Sequence, residues 1–193
     1  FLSPTFRDEQ LKINAQHKFE AAVGIILFYH HHELSVLFIQ RTKDNGPHSG
    51  QIAFPGGTKE NNETLLQAAY REIEEEIGIH PSILHYIAPL SSLYIPVSRF
   101  MVYPFVFFCN HLPPIQPNKS EVETTFVYPV RVFFEKEHIS STTIFLNQKE
   151  YQVPCFLMDE TIIWGATSMI WNECLSILKP LINEQNQSTR STT

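Results

Sequence analysis

Gly57-Thr58-Lys59-Glu60-Asn61-Asn62-Glu63 opens a run that reaches, eight residues after Glu63, Arg71-Glu72-Ile73-Glu74-Glu75-Glu76-Ile77-Gly78-Ile79. An α-helix turns about 100° per residue, so Glu72 and Glu76 project about 40° apart. Glu75 lies about 60° from Glu72 on the other side. One helix face therefore presents three carboxylates directly after the Gly56-Gly57 loop, while Glu74 points elsewhere, towards solvent. Hard divalent cations such as Mg²⁺ take oxygen ligands of this kind and are commonly shared with substrate phosphates. Acidic helix faces are common, and like charges at i,i+4 cost only a few tenths of a kcal/mol when solvated. Glu74-Glu75-Glu76 alone would pass for such a surface.

Working outward, Glu63 to Ile77 is expected to be helical. Leu65, Leu66, Ala68, Ala69, Ile73 and Ile77 form an apolar side opposite the acidic one, as in a helix packed on a sheet. Gly78 suits the residue just past the helix end, where a left-handed conformation is easiest without a Cβ. Upstream, Ala21 to Tyr29 and Leu34 to Gln40 are compact apolar runs, and His30-His31-His32-Glu33 between them reads as a hairpin turn. The triple histidine lacks a companion His or Cys at ligand spacing, so it reads as a solvated turn and not as a metal site. A loop over 42–50 leads to a short strand at Gln51–Phe54.

Downstream, strands are expected near Ile83–Leu90, Val102–Cys109 and Thr124–Pro129, bounded by prolines. A last helix spans about Thr167–Leu181, with Ile170, Trp171, Leu175 and Leu178 on one side. Residues 4–18 read as a further helix. The order fits an α/β fold, a mixed β-sheet sandwiched between α-helices, in one domain over residues 1–182. Residues 183–193 read as a polar, disordered tail.

Composition narrows the class. At 193 residues the chain suits one domain with a sizeable core. Its 43% hydrophobic and 18% charged residues describe a globular protein, and a net charge of −6 argues against nucleic acid as a partner. No stretch approaches the ~20 apolar residues of a membrane span; Phe105–Cys109 reads as a buried strand. Cys109, Cys155 and Cys174 are odd in number and widely spaced, which suggests reduced thiols in a cytoplasmic setting. The chain begins at Phe1, which reads as residues missing ahead of it, and no signal-peptide pattern is visible. Monomer and homodimer both remain open.

The run from Gly57 to Ile79 resembles the Nudix box, GX5EX7REUXEEXGU with U aliphatic, and meets its nine constrained positions. The resemblance implies the Nudix α/β/α fold and metal-dependent hydrolysis of a diphosphate bridge, with Mg²⁺ or Mn²⁺. With the glycines, Arg71 and Glu63 around the acidic face, it turns the expectation there towards metal ligation, by Glu72 and Glu76, then Glu75. The Gly57 turn would let a backbone carbonyl approach the ion. Arg71, four residues before Glu75, would hold a ligand's orientation, and Glu63 would serve the helix start. In many Nudix enzymes the general base resembles a loop glutamate outside the box. Here Glu121, in Pro117-Asn118-Lys119-Ser120-Glu121-Val122, is the best placed, with Glu123 its neighbour and competitor, and Glu75 as the box alternative.

Arg41-(six residues)-His48-Ser49-Gly50-Gln51-Ile52-Ala53-Phe54-Pro55-Gly56-Gly57 resembles the extra signature of the coenzyme A diphosphatase branch. Ser92–Pro104, Pro117–Pro129 and Ile163-Trp164-Gly165-Ala166-Thr167 extend the similarity, so that it covers roughly residues 21 to 178. The branch implies a nucleotide-type small-molecule substrate, coenzyme A or its thioesters, contacted by Arg41, His48 and Gln51. Two departures matter: the branch's leucine and second arginine fall at Asn45 and Gly46, and its serine at Thr42. That arginine is a bidentate phosphate donor, for which Lys43 or Arg41 would stand in. Another nucleoside diphosphate derivative, such as ADP-ribose or NADH, is the alternative substrate. A Nudix-fold module that binds without turnover is the remaining class, and it typically lacks box carboxylates that this chain keeps.

Overall fold

The structure, a computed structural model, describes residues 19–43, 48–146, 149–159 and 161–190, without the side chains of 146 and 183–190. The helix expected over 4–18 and the departures at Asn45 and Gly46 lie outside the described residues.

The hairpin forms as the two apolar runs predict: β1 (Phe19–His30) and β2 (Glu33–Arg41) pair antiparallel, with His30 opposite Glu33. Then come β3 (Ile52–Ala53), β4 (Gly56–Thr58) and helix α1 (Leu65–Ile77). β5 (His85–Pro89), β6 (Leu93–Ile95), β7 (Phe100–Cys109) and β8 (Val122–Pro129) complete an eight-stranded sheet. Its spine runs β3-β2-β1-β7-β5, and β1 and β7 lie parallel while their other partners are antiparallel, so the sheet is mixed. β9 (Ile139–Leu146), β10 (Lys149–Met158) and β11 (Thr161–Trp164) make a second, three-stranded sheet, and α2 (Gly165–Arg190) ends the described chain.

Strand alternation sorts side chains to the two faces of the main sheet. On β2, Leu37 and Ile39 join Ala68, Ala69, Ile73 and Ile77 of α1 in one core. Val36 and Phe38 turn to the other face, where Trp171 of α2, Phe133, and Phe156 and Ile163 of the small sheet meet them. Rings interlock there: Trp171 packs edge-on to Phe38 and Phe133, with centroids 5.9 and 5.2 Å apart. Burying each such side chain is worth about 1.5–3 kcal/mol. The layers are therefore α1, the mixed sheet, and α2 together with the small sheet.

Several expectations are corrected. α1 starts at Leu65, because Thr64 caps it: the Thr64 Oγ1 accepts the Gln67 N–H at 3.2 Å and the Gln67 Oε1 accepts the Thr64 N–H at 2.8 Å. Glu63 thus precedes the helix. The strand expected from Ile83 begins at His85, because Pro81–Ile83 forms a 3₁₀ turn led by its proline. The small sheet was not anticipated, since its mixed Ser/Thr/Ile and Lys/Glu/Tyr strands alternate only weakly. α2 continues past the expected end at Leu181 to Arg190. No glycine or proline interrupts 181–190, and Glu and Gln are good helix formers. Gly78 does end α1 with φ 72°, its N–H reaching the Glu74 carbonyl at 2.9 Å.

Candidate active site

α1 places Glu72 and Glu76 on its sheet-facing side against Gly56 and Gly57 of β4, and Glu76 is only 1% exposed. The two last-turn carbonyls of α1 would otherwise lack partners. Instead the Gln116 N–H donates to the Ile77 carbonyl at 3.0 Å and the Asn118 N–H to the Glu76 carbonyl at 2.9 Å. That contact draws the 116–121 loop across the helix end. A turn follows, in which the Glu121 N–H donates to the Asn118 carbonyl at 2.9 Å and the Asn118 Nδ2 donates to Glu121 Oε1 at 3.3 Å. From the other side, the Thr42 N–H donates to the Glu121 carbonyl at 2.9 Å. Carboxylate oxygens of Glu72, Glu76 and Glu121 consequently lie within 4.8 Å of one another.

Each buried carboxylate is held from behind. Glu76 Oε2 accepts the Gly56 N–H at 2.9 Å, and its Oε1 lies 3.4 Å from the Arg41 guanidinium. Burial nevertheless pushes the Glu76 carboxyl up to about 7, with the Gly56 amide and Arg41 opposing. Burial also raises Glu72, against the pull of Arg71. Two desolvated carboxylates and a third at their mouth are an all-oxygen donor set that a divalent cation would neutralise. The residues fit such an ion.

Arg71 organises the surroundings. It donates to Glu63 at 2.7 and 3.1 Å, to Glu72 at 2.8 Å, to Glu75 at 2.9 Å and to the Thr58 carbonyl at 3.1 Å. The Glu63 hydrogen bond, with Glu72 and Glu75, lifts its pKa further above its usual value, so it stays a cation. Glu63 is held low in turn, chiefly by Arg71. Glu63 therefore anchors Arg71 and does not serve the helix start as anticipated. Glu75 is 56% exposed on its side chain and bonded to Arg71, outside the group of three carboxylates. Glu123 is also outside it. Gly57 backs directly onto the Glu72 carboxylate.

Of the other anticipated residues, Arg41 joins the carboxylates. His48 and Gln51 pair with each other, Nδ1 to Oε1 at 3.2 Å, and the Gln51 carbonyl accepts the Arg41 N–H at 3.0 Å. Lys43 is exposed, its stem next to Gly50. The sequence reading missed Thr42 and Asn118, which carry Glu121 to the site. An Asn three residues before an acid, in a proline-bounded loop, is a recognisable turn signal. All three cysteines are free and buried, and no helix among the described residues is long and apolar enough to cross a membrane.

Residues 18–147 match the NUDIX domain. The chain belongs to the Nudix family. It is similar to the protein named "Uncharacterized Nudix hydrolase NudL" of Pectobacterium atrosepticum strain SCRI 1043, with 28% identity over 158 residues, covering 80% of each chain. It is also similar to the protein of the same name from Yersinia pestis strain Pestoides F, at 30% identity over 142 residues, covering 72% of this chain and 69% of the relative. Among solved structures, a MutT/nudix family protein from Enterococcus faecalis covers 90% of this chain and 68% of its own at TM-score 0.54 and 16% identity. An Ap4A hydrolase from C. elegans covers 60% of this chain and 83% of its own at TM-score 0.51 and 20% identity. These two likenesses concern the fold. As a Nudix hydrolase, the protein acts on pyrophosphate bonds of nucleoside diphosphate derivatives, and Nudix hydrolases use divalent metals.

Proposed function

We propose that the protein hydrolyses the diphosphate bond of coenzyme A or acyl-coenzyme A, releasing (acyl-)phosphopantetheine and adenosine 3′,5′-bisphosphate. The observation that carries this reading is that Arg41, first residue of the coenzyme A-type signature, lies 3.4 Å from Glu76. The rest of that segment, His48 to Gln51, is folded against it through the Arg41–Gln51 and Gly50–Thr42 backbone hydrogen bonds. A substrate held by this loop would meet the carboxylates at its diphosphate.

Glu72 and Glu76 would hold Mg²⁺ or Mn²⁺, with Glu121 at the open side. A cation bound there offsets the diphosphate's charge and acidifies water. Glu121, exposed and tethered by Asn118, takes the proton of the attacking water. The water oxygen bonds to one phosphorus as the bridging P–O bond breaks, and the departing phosphate leaves as an anion. Arg71 fixes Glu72 in place and Arg41 orients the substrate's phosphates next to Glu76. Three buried free thiols fit a reducing, cytoplasmic setting.

The test is a panel of coenzyme A, acyl-coenzyme A, ADP-ribose and NADH incubated with the protein and Mg²⁺, with products identified by mass. Bisphosphate from the coenzyme A species alone supports the reading. Preferential cleavage of ADP-ribose or NADH replaces it with the alternative that Asn45 and Gly46 favour.

A further inference from the structure

The ladder between β2 and β8 breaks beside the carboxylates. Gln40 stands opposite Thr124 and Arg41 opposite Val122, so Glu123 has no partner on β2 and forms a bulge. An extra residue of this kind bends its strand and re-aims the side chains next to it. Regular alternation would set Val122 on the face of Phe126 and Tyr128, against the Trp171 core. It lies fully buried in the α1 core instead. The chain therefore enters β8 turned by one position, and contacts other than the ladder must place Glu121, the residue before it.

Thr42, which directly follows β2, supplies those contacts. Its N–H donates to the Glu121 carbonyl at 2.9 Å, and its Oγ1 donates to the Ser120 carbonyl at 3.2 Å. The Ser120 carbonyl belongs to the peptide plane before the Glu121 Cα, and the Glu121 carbonyl to the plane after it. Planar peptides leave only two soft dihedrals at that Cα, and Thr42 pins the planes on both sides of it. The direction of the Glu121 side chain is thereby set from a residue far away in sequence, whereas Asn118 acts from within the same turn. Thr42 is also bonded the other way. Its carbonyl accepts the Gly50 N–H at 3.2 Å, and the Gln40 Nε2 donates to the Gly50 carbonyl at 3.3 Å. The segment that carries His48 and Gln51 and the loop that carries the acid thus share one anchor.

We propose that Thr42 is a positioning residue for the hydrolysis. Its hydroxyl and its N–H together hold the backbone on both sides of Glu121, and so fix where that carboxylate stands relative to Glu72 and Glu76. Its carbonyl ties the same placement to the segment around His48 and Gln51. The proposal rests on Glu121 as the acceptor of the water proton. Thr42 touches neither the substrate nor the water and acts through Glu121 alone.

The experiment is a double-mutant cycle on the full chain, assayed with whichever diphosphate of the panel the wild type cleaves. Thr42→Val keeps the shape and removes the hydroxyl, and Thr42→Ser keeps the hydroxyl. The hold of one hydrogen bond corresponds to about fivefold, so Thr42→Val should lower kcat by about that factor with KM little changed. Thr42→Ser should stay close to wild type. In the Glu121→Gln background, Thr42→Val should lower kcat no further, because there is no base left to place. Hydrogen exchange on the metal-free protein gives a readout apart from activity: the amides of 118–121 should exchange faster in Thr42→Val, while those of α1 stay as protected as in wild type. Equal losses of kcat with and without Glu121→Gln overturn the proposal and leave Glu121 as the base. Unchanged exchange over 118–121, or a serine variant as impaired as the valine one, overturns it too. Wild-type kcat in Glu121→Gln overturns the base assignment and the proposal together.

Discussion

Gly57 touches the carboxylate of Glu72 with no room between them: a Cβ at position 57 would stand 2.6 Å from the Glu72 carboxyl carbon. The backbone at Gly57 does not need a left-handed conformation, so Gly57→Ala displaces the acid and leaves the strand in place. The expected result is a near-native melting temperature with kcat/KM reduced about 10²-fold, the scale on which a misplacement of about 1 Å acts. Gly56 differs, since a Cβ there meets the Val23 Cα at 2.7 Å and its φ is 156°. Gly56→Ala should lower the melting temperature clearly. Paired melting and steady-state assays separate the two; equal losses of stability would refute the assignment.

Glu76 gives the metal-free protein a characteristic pH dependence. Its folded pKa is about 7, above the ordinary 4.5. Between those values the folded state binds a proton that the unfolded state has released. Stability therefore falls as pH rises from about 4.5 to about 7, by a contribution on the order of 3 kcal/mol. Glu76→Gln removes this term, so its stability should be flatter across that window and its activity lost. Denaturant titrations of both proteins at pH 5 and pH 8, in chelator, check it. A parallel decline in the two would place the titration elsewhere. Mg²⁺ binds the deprotonated carboxylates, so hydrolysis should rise with pH towards an alkaline optimum, and a maximum near pH 5 would contradict the same assignment.

What was legible in the sequence follows from how locally each feature is encoded. The apolar stripe of α1 and the αL position of Gly78 are encoded within a few residues, and the helix forms almost as expected. Glu72 and Glu76 share a face by helical geometry alone. Glu75 shares it too by angle, yet Arg71 captures it, because the same Nη1 that donates to Glu72 also reaches Glu75 along i,i+4 while Nε and Nη2 hold Glu63. Spacing does not decide that contest. Glu121 could be ranked above Glu123 only by resemblance. The physical reason lies in Asn118 and Thr42, whose backbone contacts span distances in sequence that no periodicity reports. The small sheet was invisible for a related cause: its inner face is completed by α2 and Phe133, so its strands carry little alternation of their own.

Arg71 should be irreplaceable by lysine. Its fork donates in four directions, to Glu63, Glu72, Glu75 and the Thr58 carbonyl, and an ammonium has neither the reach nor the planar geometry. Arg71→Lys should cost about 1–3 kcal/mol of stability, since partly buried Glu63 and Glu72 lose charge-assisted bonds. Activity should fall more than stability, because Glu72 loses its tether. Unfolding free energy and kcat measured on one preparation check it, and a lysine variant with wild-type kcat would show that Glu72 is positioned by Gly57 alone.

The last prediction separates the two loop acids. Glu121 shares the oxygen cluster with Glu72 and Glu76, while Glu123, two residues along β8, does not. General-base catalysis contributes about 10²–10⁴-fold. Glu121→Gln should therefore lower kcat by that order, with KM little changed, while Glu123→Gln stays within a few-fold of wild type. Asn118→Ala provides the intermediate case, since it frees Glu121 without removing it: the Nδ2 contact at 3.3 Å and the turn bonds to Ser120 are lost. Its kcat should fall roughly 10-fold, and its loop should be more readily cleaved by protease. If Glu123→Gln proved the damaging change and Glu121→Gln were silent, the loop would have to present its acids in the opposite order. The Thr42–Glu121 and Asn118–Glu76 backbone bonds, which set that order, would then be wrong.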